Sequence, residues 1–485
     1  MSTRFSTLFL GLAAAVFLVF AGTANAGSRP LDTGITVSDI GQPEQLAYHR
    51  IKDAGASMTR VIVFWSSVAP ADEPESWDPA NPGEPHYNWS DVDARIQMAV
   101  NAGLTPLVQI FSAPNWAERC KRQTPGICNP DISDFADFTK AAARRYNGNY
   151  EGLPRVRFWE PWNEPNLLLW FAPQYKNGKK VSPTLYRNML NRFAGVVKGI
   201  NPTNTVVAGG LAPLGGLGNL APLDFARRVL CMKGRNNPKP KRGCRDRATF
   251  DIWAHNPYTT GGPAHAAAGK DDVSLGDLPR MAKLLKAAKA AGKIRTKRRS
   301  IQFWVTEFSW DSKPPDPGGV PMEILTRWTS EAMYRAWKAG VSKFFWFSLR
   351  DWPRSDGTPY RETIEAGLYF RGLSVAQDKP KRNLNAFRFP FVAFGGKRGV
   401  SIWGRTPTST RGNVAVTYRA GGKWKQLTKV KADGDGIFKS FVKTRLARTL
   451  GKRKTASVRA TYRGQSARPF SLRPVKDYYQ PPFGL

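Results

Sequence analysis

Between Thr33 and Leu349 the chain alternates short runs rich in β-branched and aromatic residues with longer segments whose apolar positions recur at helical spacing. That alternation predicts repeated βα units and a parallel sheet. Eight runs read as strands: GITVSD (34–39), TRVIVFW (59–65), TPLVQIF (105–111), RVRFWEP (155–161), NTVVAGG (204–210), FDIWAHN (250–256), IQFWVTE (301–307) and KFFWFSL (343–349). The segments between them read as helices. SDVDARIQMAVNAG opens on Ser90 as N-cap, carries acids in its first turn and stops at Gly103. SDFADFTKAAARRY, SPTLYRNMLNRFAGVVKGIN, LGDLPRMAKLLKAAKAAG and PMEILTRWTSEAMYRAWKAG behave alike. Eight such units predict an α/β fold, a closed (β/α)₈ TIM barrel. The competing open doubly wound sheet lacks its Gly-rich dinucleotide turn after the first strand, and GGLAPLGGLG (209–218) has neither GxGxxG spacing nor a following Lys-Ser/Thr, so it reads as a loop. KPKRNLNAFRFPFVAF (379–394) supplies the last helix.

From Gly395 the pattern changes. GNVAVTYRA, KWKQLTKVKA, GIFKSFVKT and TASVRATYR alternate at period two between Gly and Asp, which predicts a small antiparallel β-sandwich over 395–485 after a barrel domain over 27–394. Charge shifts with texture: from Arg371 onward 26 Lys or Arg stand against 4 Asp and no Glu, leaving +22 of the chain's net +36 in its last quarter. The first 26 residues, with Arg4, an apolar run from Leu8 to Phe20 and Ala24-Asn25-Ala26, have the layout of a secretory signal peptide cut after Ala26. As a retained anchor the run is shorter than the roughly 18 apolar residues a span needs. The expectation is a secreted, extracellular protein with no membrane attachment after signal removal. Export gives the four cysteines an oxidising context, and the simplest pairing is two local disulfides, Cys120 with Cys128 and Cys231 with Cys244. A zinc site is the rival, but Cys-X-X-Cys and neighbouring His at ligand spacing are both missing, so no metal is expected.

The candidate chemistry lies in FWEPWNEPN (158–166), where Trp and Pro crowd one Asn-Glu pair just past the fourth strand, and in FWVTEFSW (303–310), where Glu307 ends the seventh. In a barrel, side chains at the C-terminal strand ends converge over one pocket, so Glu164 and Glu307 should meet in space. Two converging carboxyls suit glycoside hydrolysis, retaining at a gap of about 5 to 5.5 Å and inverting at about 6.5 to 9.5 Å. WNEPN followed by TEF resembles clan A of the glycoside hydrolases, over about residues 31–394 and nearest to families 5 and 39. The resemblance implies a retaining β-glycosidase: Glu164 as acid/base, Glu307 as nucleophile, Asn163 as donor to the substrate's 2-hydroxyl, and no cofactor. It further implies that Arg60 and Tyr258 bond the nucleophile and that Trp346 floors the sugar site, with Phe347 taking that place if the register shifts by one. The clan's His-Pro-Tyr stands here as Asn256-Pro257-Tyr258, which leaves open whether His255 or Asn256 faces the pocket.

Trp65, Trp116, Trp162, Trp170, Phe171, Trp310 and Trp352 fall at or past strand ends, and of the aromatic residues Trp162, Trp310 and Trp346 are the favoured cleft residues. The expected partner is a carbohydrate. The basic C-terminal region has no nucleic-acid motif; an anionic cell-wall or other extracellular polymer, or a solvated basic face with no partner, suits it. A catalytically silent carbohydrate-binding protein on the same scaffold is the alternative function. It differs by binding sugars without turnover, and it has no need of the whole Glu164, Glu307, Asn163 and Arg60 set.

Overall fold

The computed structural model describes residues 29–37, 43–120, 122, 124–355, 357–444, 456–475 and 478–479; the segment read above as a signal peptide lies outside them. Eight parallel strands close on themselves: β1 (Asp32–Thr36), β2 (Met58–Phe64), β3 (Thr105–Phe111), β4 (Phe158–Pro161), β5 (Thr205–Leu211), β6 (Ile252–His255), β7 (Gln302–Val305) and β8 (Val341–Phe347). Each strand pairs with its neighbours in the chain, and β1 closes the ring on β8 with Ile35 opposite Trp346. The eight predicted runs are these eight strands, with ends displaced by up to three residues. Around them lie α1 (Gln45–Asp53), α2 (Ser90–Asn101), α3 (Ile132–Arg145), α4 (Ser182–Ile200), α5 (Pro222–Val229), α6 (Leu278–Ala290), α7 (Met322–Ala339) and α8 (Asn383–Arg388). α3 illustrates why: the Asp131 side chain caps the N–H groups of Ser133 and Asp134, Arg144 and Arg145 sit in the last turn, and Phe135 and Phe138 are buried on one face.

Side chains along a strand point alternately inward and outward. Met58, Leu107, Val207, Ile252, Ala254, Trp304 and Phe345 meet inside the barrel as an apolar floor, while the residues between them join the outer core beneath the helices. Two positions further toward the C-terminal ends, the same parity places Arg60, Gln109, Asn256, Thr306 and Phe347, with Glu160 on β4 two beyond Phe158. A mostly polar layer therefore sits on the apolar floor, at the mouth where barrel chemistry occurs. β5 breaks parity: Gly209 and Gly210 take φ of 99° and 56°, and the β5–β6 register shifts there. A Cβ on Gly210 would lie 2.8 Å from Glu160 Oε1, so glycine leaves room for that carboxyl.

The C-terminal antiparallel sheets begin at Phe391, just after α8. One sheet contains β9 (Phe391–Gly396), β10 (Gly399–Arg405) and β13 (Ile437–Lys443). The other contains β11 (Gly412–Arg419), β12 (Lys425–Ala432), β14 (Ser457–Tyr462), β15 (Gln465–Ser466) and β16 (Phe470–Ser471). They are seated on the barrel: Trp403 packs against Tyr334 and Trp337 of α7, and buried Arg405 donates to Leu31 O and Thr33 Oγ1 at 3.1 and 3.2 Å. Both expected disulfides are formed, Cys120–Cys128 and Cys231–Cys244. The first staples the loop after β3, which in turn pairs with the loop after β4 through Asn129 N–H to Ala172 O (2.6 Å) and Ala172 N–H to Ile127 O (2.9 Å). Among the described residues no helix is long and apolar enough to cross a membrane.

Candidate active site

The polar layer at the mouth is organised by its own hydrogen bonds. Trp162 and Glu164 both take left-handed backbone, φ 69° and 39°, so the chain turns sharply at the end of β4 and brings Glu164 back over the barrel. Gln109 Nε2 holds this turn, donating to Trp162 O at 2.8 Å and Asn163 Oδ1 at 3.3 Å. Asn256 Nδ2 donates to Glu164 Oε1 at 3.0 Å and is itself oriented by the Thr306 hydroxyl, 3.0 Å from its Oδ1. Two residues on, Tyr258 donates to Glu307 Oε2 at 3.2 Å. The segment Asn256-Pro257-Tyr258 thus touches both carboxyls, which is how side chains 143 positions apart in the chain come to share one site. Arg60 joins them from below, its Nη1 paired with Glu307 Oε1.

The two carboxyls differ in electrostatic setting. Burial pushes Glu164 up to about 8, and the negative charge of Glu307 adds to that push against the smaller pull of Asn256. Glu307 instead has Arg60 and the Tyr258 hydroxyl on its oxygens, both of which stabilise negative charge. Tyr258 is held well above its ordinary value by burial and the nearby Glu307, so its hydroxyl remains a donor. The site therefore holds one carboxyl that keeps its proton near neutrality beside a second whose oxygens meet Arg60 and the Tyr258 hydroxyl.

Four expected site residues lie elsewhere. His255 has the outward parity of Trp253; its Nε2 donates to Val273 O at 2.7 Å, burial lowers it to about 4, and Asn256 faces the pocket in its place. Trp346 likewise points outward, fully buried, with its indole N–H on Ala366 O at 2.8 Å and its ring against Phe387 of α8, so Phe347 is the β8 ring at the mouth. Trp162 is fully buried against Phe135 and Phe171, because its left-handed turn swings the ring behind the strand. Trp310 is 3% exposed, wedged between Phe308 and Trp328 with its N–H on Gly261 O. Trp116, Trp170 and Trp352 stay partly open, and Trp170 is a neighbour that favours the charged form of Glu164. Glu160 was not among the sequence candidates. It is fully buried, bonded through Oε2 to Arg60 Nε at 3.1 Å, and raised to about 7 by burial, against the pull of Arg60. Its signal was an acid inside an otherwise apolar strand.

These placements separate His255 from Asn256 by experiment. Asn256→Ala should cut kcat about tenfold, the value of one buried hydrogen bond. His255→Phe should leave kcat/KM within about threefold yet lower the melting temperature, since only the buried bond to Val273 is lost. Steady-state kinetics and thermal melts of the two variants check this.

A (β/α)₈ barrel with two carboxyls brought together at the ends of its fourth and seventh strands has the architecture of a glycoside hydrolase. The chain belongs to the cellulase family, glycosyl hydrolase family 5, whose model matches residues 24–276. Among solved structures it is similar to a family 39 glycoside hydrolase from the gut symbiont Bacteroides cellulosilyticus WH2, with 17% identity, 86% of this chain and 79% of that one covered, and a TM-score of 0.53. It is also similar to a monomeric beta-xylosidase from Caulobacter crescentus CB15, with 14% identity, 86% and 96% covered, and a TM-score of 0.51. At such identity these two speak for the fold. No curated protein matches the chain.

Proposed function

We propose that the protein is a secreted retaining β-glycosidase working by double displacement. The observation that carries this reading is the pairing of opposite settings around one segment: Glu164 raised to about 8 on Asn256, Glu307 paired to Arg60 on Tyr258. In the first step a Glu307 carboxylate oxygen bonds the anomeric carbon while Glu164 gives its proton to the departing glycosidic oxygen. The ester removes the negative charge of Glu307, and with it part of what kept Glu164 protonated. In the second step Glu164, now a carboxylate, takes a proton from water as that water attacks the anomeric carbon and frees Glu307. Asn163, held by Gln109, faces the sugar's 2-hydroxyl in this reading. The signal-like leader and the two disulfides support secretion.

An anionic extracellular polymer as partner of the C-terminal sheets is part of the same reading. Its support is the exposed row of Lys425, Lys429 and Lys431 on β12, next to Arg419 and Arg459, whose guanidinium groups lie 5.0 and 4.3 Å from the Trp424 ring. NMR of the first-formed product from a panel of β-xylosides, β-glucosides and β-mannosides tests the mechanism. The product should keep the β configuration; first formation of the α anomer means an inverting enzyme.

A further inference from the structure

Glu160 is a third carboxyl that double displacement does not require, and its surroundings are specific. Arg60 is 1% exposed and forks between two acids, Nε to Glu160 Oε2 and Nη1 to Glu307 Oε1. Of the two, only Glu307 changes charge during catalysis. Once it carries the glycosyl group it is a neutral ester, and a buried guanidinium with Glu307 as sole anchor would lose its ion pair in mid-cycle, a costly state in a low-dielectric interior. Glu160 takes no part in bond making: it lies one layer deeper, fully buried, on the inward parity of β4. Its other oxygen, Oε1, has no hydrogen-bond partner and faces the space left by Gly210, so a proton there leaves Oε2 free to accept from Arg60.

Resting on the glycosidase reading, we propose that Glu160 is the positioning residue for Arg60, holding the guanidinium in place while Glu307 alternates between carboxylate and ester. The bond to Nε survives either protonation state of Glu160, since both the carboxylate and the acid's carbonyl oxygen accept it. The raised value of about 7 fits a group whose environment changes with that of Glu307, because the charge of Glu307 is one of the causes that raise it. Arg60 thereby returns to the same geometry when Glu307 is released.

The test uses Glu307→Gln, whose neutral amide stands in for the ester, and reads exchange of the Arg60 Nε–H with solvent by nitrogen-15 NMR of the full-length protein. The proton should stay protected in Glu307→Gln and exchange at least about 100-fold faster when Glu160→Ala is added, as a buried, bonded N–H becomes free. Loss of protection in Glu307→Gln alone would overturn the proposal, as would full protection in the double variant. In otherwise wild-type protein, Glu160→Ala should lower kcat by about 100-fold with little change in KM, a loss typical of one misplaced electrostatic group. Glu160→Gln, which retains an acceptor for Nε, should recover most of kcat. A Glu160→Ala effect that adds fully to that of Arg60→Ala would mean Glu160 does not act through Arg60. The exchange result stands whether or not any glycoside is hydrolysed, so failure of the glycosidase reading and failure of this one are told apart.

Discussion

Glu307→Gln is expected to abolish turnover, by at least about 10⁴-fold on every glycoside, including those with highly activated leaving groups. The amide cannot form the glycosyl ester, and the deficit is a large share of an enzymic acceleration on the order of 10⁶-fold or more. Activated leaving groups give no relief because the missing event is attack at the anomeric carbon, not departure of the aglycone. The fold should persist: Arg60 loses its bond to Glu307 but keeps Glu160, so no unpaired buried cation remains. Kinetics on aryl glycosides of graded leaving-group acidity, with a thermal melt of the same sample, check both halves. Activity within tenfold of wild type would remove Glu307 from the nucleophile's place.

The second large effect belongs to Glu164. Glu164→Gln should cost about 10² to 10⁴-fold on substrates with poor leaving groups, the usual share of general acid catalysis, and far less in the first step for leaving groups that need no proton. The same substitution should stabilise the fold in a pH-dependent way. The folded value of Glu164, about 8, lies above its ordinary 4.5, so its favourable contribution is complete below about 4.5 and is lost as pH rises through 8. The glutamine variant lacks this loss, so its advantage in melting temperature should widen between pH 5 and pH 8. A constant difference across that range would mean Glu164 ionises normally and is not the group that keeps its proton.

The barrel was legible because each βα unit writes its own periodicity, and the pair Glu164 and Glu307 because strand ends converge in a closed sheet whatever their distance along the chain. Which neighbour faces inward was not. In a parallel strand buried on both sides the two faces are equally apolar. FDIWAHN therefore gives no sign that Ala254 and Asn256 look inward while Trp253 and His255 look outward. The same ambiguity let the resemblance favour Trp346 over Phe347. Trp162 escaped for another reason: a left-handed residue at a strand end redirects its side chain, and nothing in WNEPN announces positive φ. Glu160 could have been found. An acid within an apolar run, on a strand near one carrying Arg60, is a buried ion pair waiting for its partner.

At the centre of the account stands the coupling of two carboxyls in one site, with the charge on Glu307 helping to keep the proton on Glu164. The most direct measurement is an NMR titration of carbon-13-labelled glutamate, following Glu164 in the free enzyme and after Glu307 is esterified by a 2-deoxy-2-fluoro glycoside. Glu164 should titrate near 8 when free and fall toward the ordinary carboxylate range in the esterified enzyme. The same value in both forms would mean that the two groups do not feel each other.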